Sequence, residues 1–260
     1  MARRWQSPGT MTAPSPSLRA HAATHVGRRD NNEDSFLADR PLGLFAVADG
    51  MGGYEGGEIA SHLAVDTLYR FFSRGAPYED ITFTSFGADG RSPAESMMQM
   101  ALRLADAEIK KQRNGRLASM GSTIAAILMR GEHAVIAHVG DSRVYGFRDG
   151  ALMPLTIDHS LYAEMVAAGI SRTRARDHRH VVTRALGVPG RSRPDVATFA
   201  VRSGDAFLLC TDGVTDVLPD GEIEAILSEL DPARAVDAIV AEAYVSGSPD
   251  NITVLHVRVE

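Results

Sequence analysis

The chain has only one cysteine, Cys210, in 260 residues. A lone thiol cannot form an internal bridge, so a disulfide scaffold is excluded. The count suits a reducing compartment, and a cytoplasmic location is expected. Long apolar runs are also missing. The longest, Leu42–Ala48 and Thr123–Met129, are about seven residues, against roughly 20 for a helix that crosses a membrane. There is no basic excess either. Lys and Arg number 27 against 33 Asp and Glu, a formal charge of −6, which gives no global reason to expect nucleic acid. What remains is ordinary for a globular protein: 44% hydrophobic and 23% charged residues, unlike a disordered or collagen-like chain.

Residues 1–20 are rich in Arg, Pro and Ser and show no hydrophobic period. Their early arginines precede no apolar run, so they do not form a secretory signal. A flexible N-terminal tail is expected, with a transit peptide as the alternative. From His21 onward strand and helix signals interleave without a linker or repeat, and one domain over 21–260 is expected. Leu42–Ala48 has the length of a buried strand stopped by the Asp49-Gly50 turn. The pairs Ile59/Ala60, Leu63/Ala64, Thr67/Leu68 and Phe71/Phe72 form one helical stripe. Tyr78–Arg91 lacks either period and reads as a loop. Ser92-Pro93-Ala94-Glu95 is a capping box that starts a helix running to Asn114-Gly115.

Turns at Gly131-Glu132, Asp149-Gly150 and Ser203-Gly204-Asp205 then separate β-rich runs in the pattern of hairpins. Helical patterns lie near Asp158–Ala168, Glu222–Leu227 and Ala233–Tyr244. Ile252–Val259 alternates as a half-buried strand. The total is about ten strands and five helices, an α+β arrangement of antiparallel sheets covered by helices.

Acids recur at the ends of these strands, in Asn32-Glu33-Asp34, Asp49-Gly50, Asp212-Gly213 and Asp250-Asn251. Carboxylates crowded on one rim repel one another unless cations neutralise them. Oxygen donors without His or Cys favour Mg²⁺ or Mn²⁺ over Zn²⁺. The alternative for each acid alone is an ordinary turn former. A calcium loop from Asp30 is excluded, because Ser35 stands where that loop needs Gly and Pro41 where it needs Glu. Gly50-Met51-Gly52-Gly53 lacks the Gly-Lys-Ser/Thr of a phosphate-cradling loop. Cys210 reads as a buried strand residue, not a nucleophile.

In order along the chain, seven segments resemble the metal-dependent protein phosphatases of the PP2C (PPM) family, particularly its bacterial branch. They are Arg29-Asp30-Asn31-Asn32-Glu33-Asp34, Val47-Ala48-Asp49-Gly50-Met51-Gly52-Gly53, Gly121-Ser122-Thr123, Gly140-Asp141-Ser142-Arg143, Thr183-Arg184-Ala185-Leu186-Gly187, Thr211-Asp212-Gly213-Val214-Thr215-Asp216 and Pro249-Asp250-Asn251-Ile252. The resemblance implies a four-layer αββα sandwich of two mainly antiparallel sheets flanked by helices, with two Mn²⁺ or Mg²⁺ ions at one end. It implies that Asp49 bridges both ions, that the Gly50 carbonyl binds one, and that Asp34, Asp212 and Asp250 complete the metal positions. Glu33 would act through water. Arg29 matches the arginine that grips the substrate phosphate, the alternative being a surface ion pair with Asp30 or Glu33.

The family's chemistry is hydrolysis of phosphoserine and phosphothreonine by metal-activated water, without a phosphoenzyme. The implied partners are phosphorylated proteins, with a Ser/Thr kinase making the same substrates. A turnover-free sensor domain and a narrow phosphatase for one phosphoserine regulator are the competing readings.

The sequence departs from the family pattern in places. Met51 follows Asp-Gly where many eukaryotic relatives have a histidine, and His62 reads as a solvated or packed helix residue. A third metal in bacterial members uses an aspartate shortly before Gly-Ser-Thr. Residues 116–120 hold no acid, which leaves Asp216 alone and the third site incomplete or weak. Asp141 and Arg143 read as a structural ion pair or turn, and His159 and Ser160 as structural. Arg172, Arg174, Arg176, His178, Arg179, His180 and Arg184 form a basic cluster in a variable flap. It reads either as attracting acidic phosphorylated segments or as a solvated loop.

Overall fold

The architecture follows from strands whose two faces are both apolar. The computed structural model describes residues 17–52, 56–74 and 90–260. Tyr78–Ala88 and Asp89 of the expected loop, Gly53, and residues 1–16 of the expected tail lie outside them. The chain opens with β1 (Leu18–His25), β2 (Asp34–Asp39) and β3 (Leu44–Met51), followed by α1 (Gly56–Ser73) and α2 (Pro93–Gln112). β4 (Gly121–Ser122), β5 (Ile124–Arg130), β6 (His133–Val139), β7 (Arg143–Arg148) and β8 (Ala151–Pro154) come next. Then follow α3 (Leu161–Ala167), α4 (Arg172–Ala175), β9 (Asp195–Ala200) and β10 (Ala206–Cys210). The last elements are α5 (Asp212–Thr215), α6 (Asp220–Glu229), α7 (Pro232–Val245) and β11 (Ile252–Val259). The elements beyond the expected number are short ones such as β4, α4 and α5. β1 begins at Leu18, so the boundary drawn at residue 20 falls inside a strand.

Two sheets form, with strand orders β1-β11-β10-β7-β8 and β2-β3-β5-β6-β9, and every pairing is antiparallel. β3 shows why they stack. Phe45 and Val47 point into a core shared with Phe207, Leu209, Leu255 and Val257 of the other sheet. Leu44, Ala46 and Ala48 face the opposite way, against Ala60, Leu68, Met98 and Leu102 of α1 and α2. On the far side Leu208, Cys210 and Val254 meet Ile223, Val236 and Ile239 of α6 and α7. Three cores between four layers result. Each fully buried large side chain contributes about 1.5–3 kcal/mol, enough together to tolerate a rim of unfavourably buried acids.

This layering corrects the reading of β11 as half-buried. Every residue from Ile252 to Val257 is buried, because β11 lies centrally in its sheet with a sheet on one face and helices on the other.

Local signals are realised where short-range geometry decides. Ser92 Oγ accepts from Glu95 N (3.2 Å) and Glu95 Oε2 accepts from Ser92 N (2.8 Å) at the start of α2. Asp149 (φ 54°) and Gly150 (φ 77°) make the β7–β8 turn with two successive positive φ values, the conformation a tight hairpin requires. The third expected hairpin is not one. After β9 pairs with β6, Ser203-Gly204-Asp205 carries the chain into the other sheet, where β10 pairs with β7 and β11. No helix of the described residues is long and apolar enough to cross a membrane.

Candidate metal centre

The ends of four chain segments meet at one rim. Asp34, the first residue of β2, stands opposite Asp49 of β3. Asp212 starts α5 immediately after β10, and Asp250 precedes β11, β10's antiparallel neighbour. Two contacts join the sheets here: Thr211 Oγ1 donates to Asp34 Oδ2 (2.9 Å), and Glu33 N donates to Asn251 Oδ1 (2.8 Å). The buried Asn251 amide also donates to the carbonyls of Val26 (2.8 Å) and Asn31 (2.9 Å), pinning the loop that carries Arg29 and Glu33.

The segment Gly121-Ser122-Thr123 holds Asp49 through its backbone. Asp49 N donates to Thr123 Oγ1 (2.9 Å), while Thr123 N (2.8 Å) and Ser122 Oγ (3.0 Å) donate to the Asp49 carbonyl. Close approach demands glycine at two positions. A Cβ at Gly50 would lie 2.0 Å from the Gly57 carbonyl oxygen, and one at Gly213 would lie 1.9 Å from that of Asn251.

Electrostatically the rim is overloaded with negative charge. Burial, followed by repulsion from Asp212, Asp34, Asp250 and Asp141, raises Asp49 well above the ordinary carboxylate range. Asp212 rises likewise, through burial and then Asp141, Asp216, Asp250 and Asp34. Burial carries Asp34 up to about 7 against hydrogen bonds from Thr253 and Thr211 that favour its charge. Burial also raises Glu33. Asp34 Oδ1, Asp141 Oδ1 and Asp212 Oδ1 are buried and accept no hydrogen bond from the described residues. Orphaned carboxylate oxygens from three segments, with no His or Cys among the donors, fit hard divalent cations.

Two sequence expectations are corrected. Asp141 does not pair with Arg143: that guanidinium grips Asp158 with two bonds of 2.8 and 2.7 Å and also donates to the Tyr145 hydroxyl. Asp141 is instead 6% exposed and turned into the acid cluster, where burial and then Asp158 lift it to about 7. Asp216 therefore has an acidic neighbour, although residues 116–120 offer none. Only the Gly140-Asp141-Ser142-Arg143 match could have flagged Asp141, and a nearby arginine invited the wrong pairing.

Arg29 reaches the cluster, but its ion-pair partner is neither Asp30 nor Glu33. Its Nη2 lies 2.7 Å from Asp250 Oδ2, its Nε donates to the Pro249 carbonyl (3.2 Å), and half of its side chain is exposed. His62 is exposed on α1. Cys210 is fully buried and its thiol is pushed up to about 12 by burial, which removes it as a nucleophile at neutral pH.

Among the described residues, the three His, Cys, Asp or Glu side chains whose ligand atoms all lie within 4.8 Å of one another are not the rim acids but His138, His159 and Asp195. Their atoms are already engaged. His138 Nε2 donates to the Ile157 carbonyl (2.8 Å), and His159 Nδ1 accepts from Gly140 N (3.1 Å), leaving its Nε2 hydrogen to Asp195 Oδ2 (3.2 Å). Arg184 supplies a cation 3.0 Å from Asp195 Oδ1. This network braces the structure, in keeping with the structural reading of His159. Ser160 likewise caps α3 by accepting from Ala163 N (3.3 Å).

Comparison with known proteins points to the same chemistry. Residues 22–242 match the family model described as Protein phosphatase 2C. The chain is 34% identical over 249 residues to a serine/threonine phosphatase, stp, of Listeria welshimeri, covering 93% of this chain and 96% of that protein. The crystal structure of the Mycobacterium tuberculosis serine/threonine phosphatase PstP/Ppp superposes with a TM-score of 0.81 at 33% identity, covering 94% of this chain and 99% of that one. The catalytic domain of PstP in complex with two manganese ions gives a TM-score of 0.75 at 32% identity, over 93% and 98%.

Proposed function

This chain belongs to the protein phosphatase 2C family of serine/threonine protein phosphatases, and on that premise we propose that it hydrolyses phosphoserine and phosphothreonine in proteins at a pair of Mn²⁺ or Mg²⁺ ions. The observation that carries the reading is the meeting of Asp34, Asp49, Asp212 and Asp250 at one rim, with buried oxygens of Asp34 and Asp212 lacking a hydrogen bond from any described residue. Asp49 would be shared by both ions and the Gly50 carbonyl would bind one. Asp34, Asp212 and Asp250 would complete the set. Asp141 and Asp216 would hold a third, weaker ion. The chemistry such ions supply when bound is a water acidified enough to attack phosphorus near neutral pH.

The remaining roles fall to the chain itself. Glu33, placed by Asn251, orients water beside the cluster. Arg29 exchanges Asp250 for two phosphate oxygens, which a planar guanidinium matches in a bidentate grip. Thr123 and Ser122 keep the Asp49 backbone fixed, so that its carboxylate is held in place before substrate arrives. Attack by water needs no phosphoenzyme, consistent with the buried, protonated Cys210. Met51 offers no proton to the leaving group, which leaves that proton to come from water.

Hydrolysis of p-nitrophenyl phosphate tests the proposal. The wild type is expected to turn over with Mn²⁺ and to stop when chelated. Asp49→Asn is expected to be folded by circular dichroism and inactive. A folded wild type that stays inactive with Mn²⁺ would overturn it in favour of a sensor domain.

A further inference from the structure

We propose that the exposed arginines of α4 and of the residue that follows it, Arg172, Arg174 and Arg176, form a docking surface for acidic sequence flanking the phosphorylated residue, so that substrates of this chain are phosphoproteins with Asp or Glu near the phosphosite. The inference rests on the phosphatase reading above and adds the substrate class.

Position comes first. The excursion containing α3 and α4 is closed at its base by a bridge between Ser160 and Val182 and by donation from Leu161 N to the Val181 carbonyl (2.8 Å). Beside that base His180 Nδ1 lies 2.9 Å from Asp216 Oδ2, so the excursion is rooted at the acid cluster. Ala175, fully buried, anchors α4.

The charges on it are unspent. Arg172, Arg174 and Arg176 are exposed, and none has a side-chain partner among the described residues. Arg172 and Arg176 stand four residues apart in helical backbone, a spacing at which like charges repel. A purely structural surface would place an acid there, yet Asp177 is the one acid between residues 172 and 184. The other two arginines of the stretch are committed. Arg179 stacks over Tyr162 at 5.0 Å, and Arg184 pairs with Asp195.

In a chain of net charge −6, which repels acidic peptides overall, three exposed guanidinium groups on an excursion rooted at the site through His180 create a local reversal of sign. Such rim charges steer encounter and select partners. Nucleic acid is disfavoured, since it would want aromatic platforms between the charges and Tyr162 is covered by Arg179.

Fluorescence anisotropy of labelled phosphothreonine peptides, with acidic or neutral flanks, reads docking directly in Mn²⁺-loaded protein. Arg172→Glu/Arg174→Glu/Arg176→Glu is expected to weaken binding of the acidic peptide about tenfold or more, the sum of three individually weak exposed contacts. The neutral peptide and p-nitrophenyl phosphate turnover are expected to be unchanged. The wild-type preference for acidic flanks is expected to fall steeply as salt is added, a readout independent of whether the variant folds. An acidic-to-neutral ratio equal in wild type and variant, or insensitive to salt, would overturn the proposal. So would an oligonucleotide that binds more tightly than the acidic peptide at physiological ionic strength. Loss of the phosphatase reading is separable: it appears as absent p-nitrophenyl phosphate turnover in the wild type, whatever the peptides do.

Discussion

Replacing Asp34 by Asn is expected to stabilise the metal-free protein at neutral pH while removing its response to metal. In the fold Asp34 titrates at about 7 instead of the ordinary 3.8, because burial and then Asp250 and Glu33 disfavour its charge. A carboxyl whose folded pKa is raised binds its proton more tightly when folded. Its contribution is thus fully present below pH 3.8 and is lost as pH rises to about 7. A gap of roughly three pH units at about 1.4 kcal/mol each is ~4 kcal/mol. Water entering the rim lowers this, so about 2–4 kcal/mol is expected. Asparagine keeps an oxygen for the Thr211 hydroxyl, 2.9 Å from Asp34 Oδ2 in the wild type, and carries no charge to lose.

The assay is urea denaturation in chelator across pH 4–8, comparing wild type and Asp34→Asn so that all other titrations cancel. The wild type should lose about 2–4 kcal/mol relative to the variant over that range. Added Mn²⁺ should restore stability to the wild type far more than to the variant. A difference that is flat with pH, or a variant less stable than wild type at pH 8 in chelator, would refute the idea of an electrostatically frustrated site.

Two further outcomes follow from the geometry. Arg29→Ala is expected to lower kcat/KM for a phosphopeptide about 10–100-fold, the worth of a charged hydrogen bond of ~1.5–3 kcal/mol, and Arg29→Lys to recover only part of it because Lys lacks the planar fork. Arg148→Ala strips Asp205, 1% exposed, of the guanidinium that grips it, leaving Arg202 N at 2.7 Å and Arg202 Nε at 3.8 Å as its partners, and should cost about 1.5–3 kcal/mol in urea denaturation.

Features governed by neighbours along the chain are legible in the sequence. The start of α2 is set by Ser92, Pro93 and Glu95, three residues whose caps close within one turn. The β7–β8 turn is set by Asp149-Gly150, and the α1 stripe by residues that recur each helical turn. The acids of the rim are also visible as residue types at strand ends, and the resemblance orders them.

Contacts between distant segments decide the rest. Whether Ser203-Gly204-Asp205 closes a hairpin or crosses between sheets depends on the partners of β9 and β10, which no local turn signal encodes. That β11 is buried on both faces reflects the layers stacked against it, because two-residue alternation describes a strand's own faces and not what covers them. Arg143 finds Asp158 and Arg29 finds Asp250, since long side chains pair with whatever acid the fold brings within reach. Asp141 is thereby left unpaired in the cluster. Sequence alone determined the local elements and the chemical types available. Only the tertiary structure decided which charges would share one poorly solvated rim, because burial and repulsion depend on separations in space that chain spacing does not set.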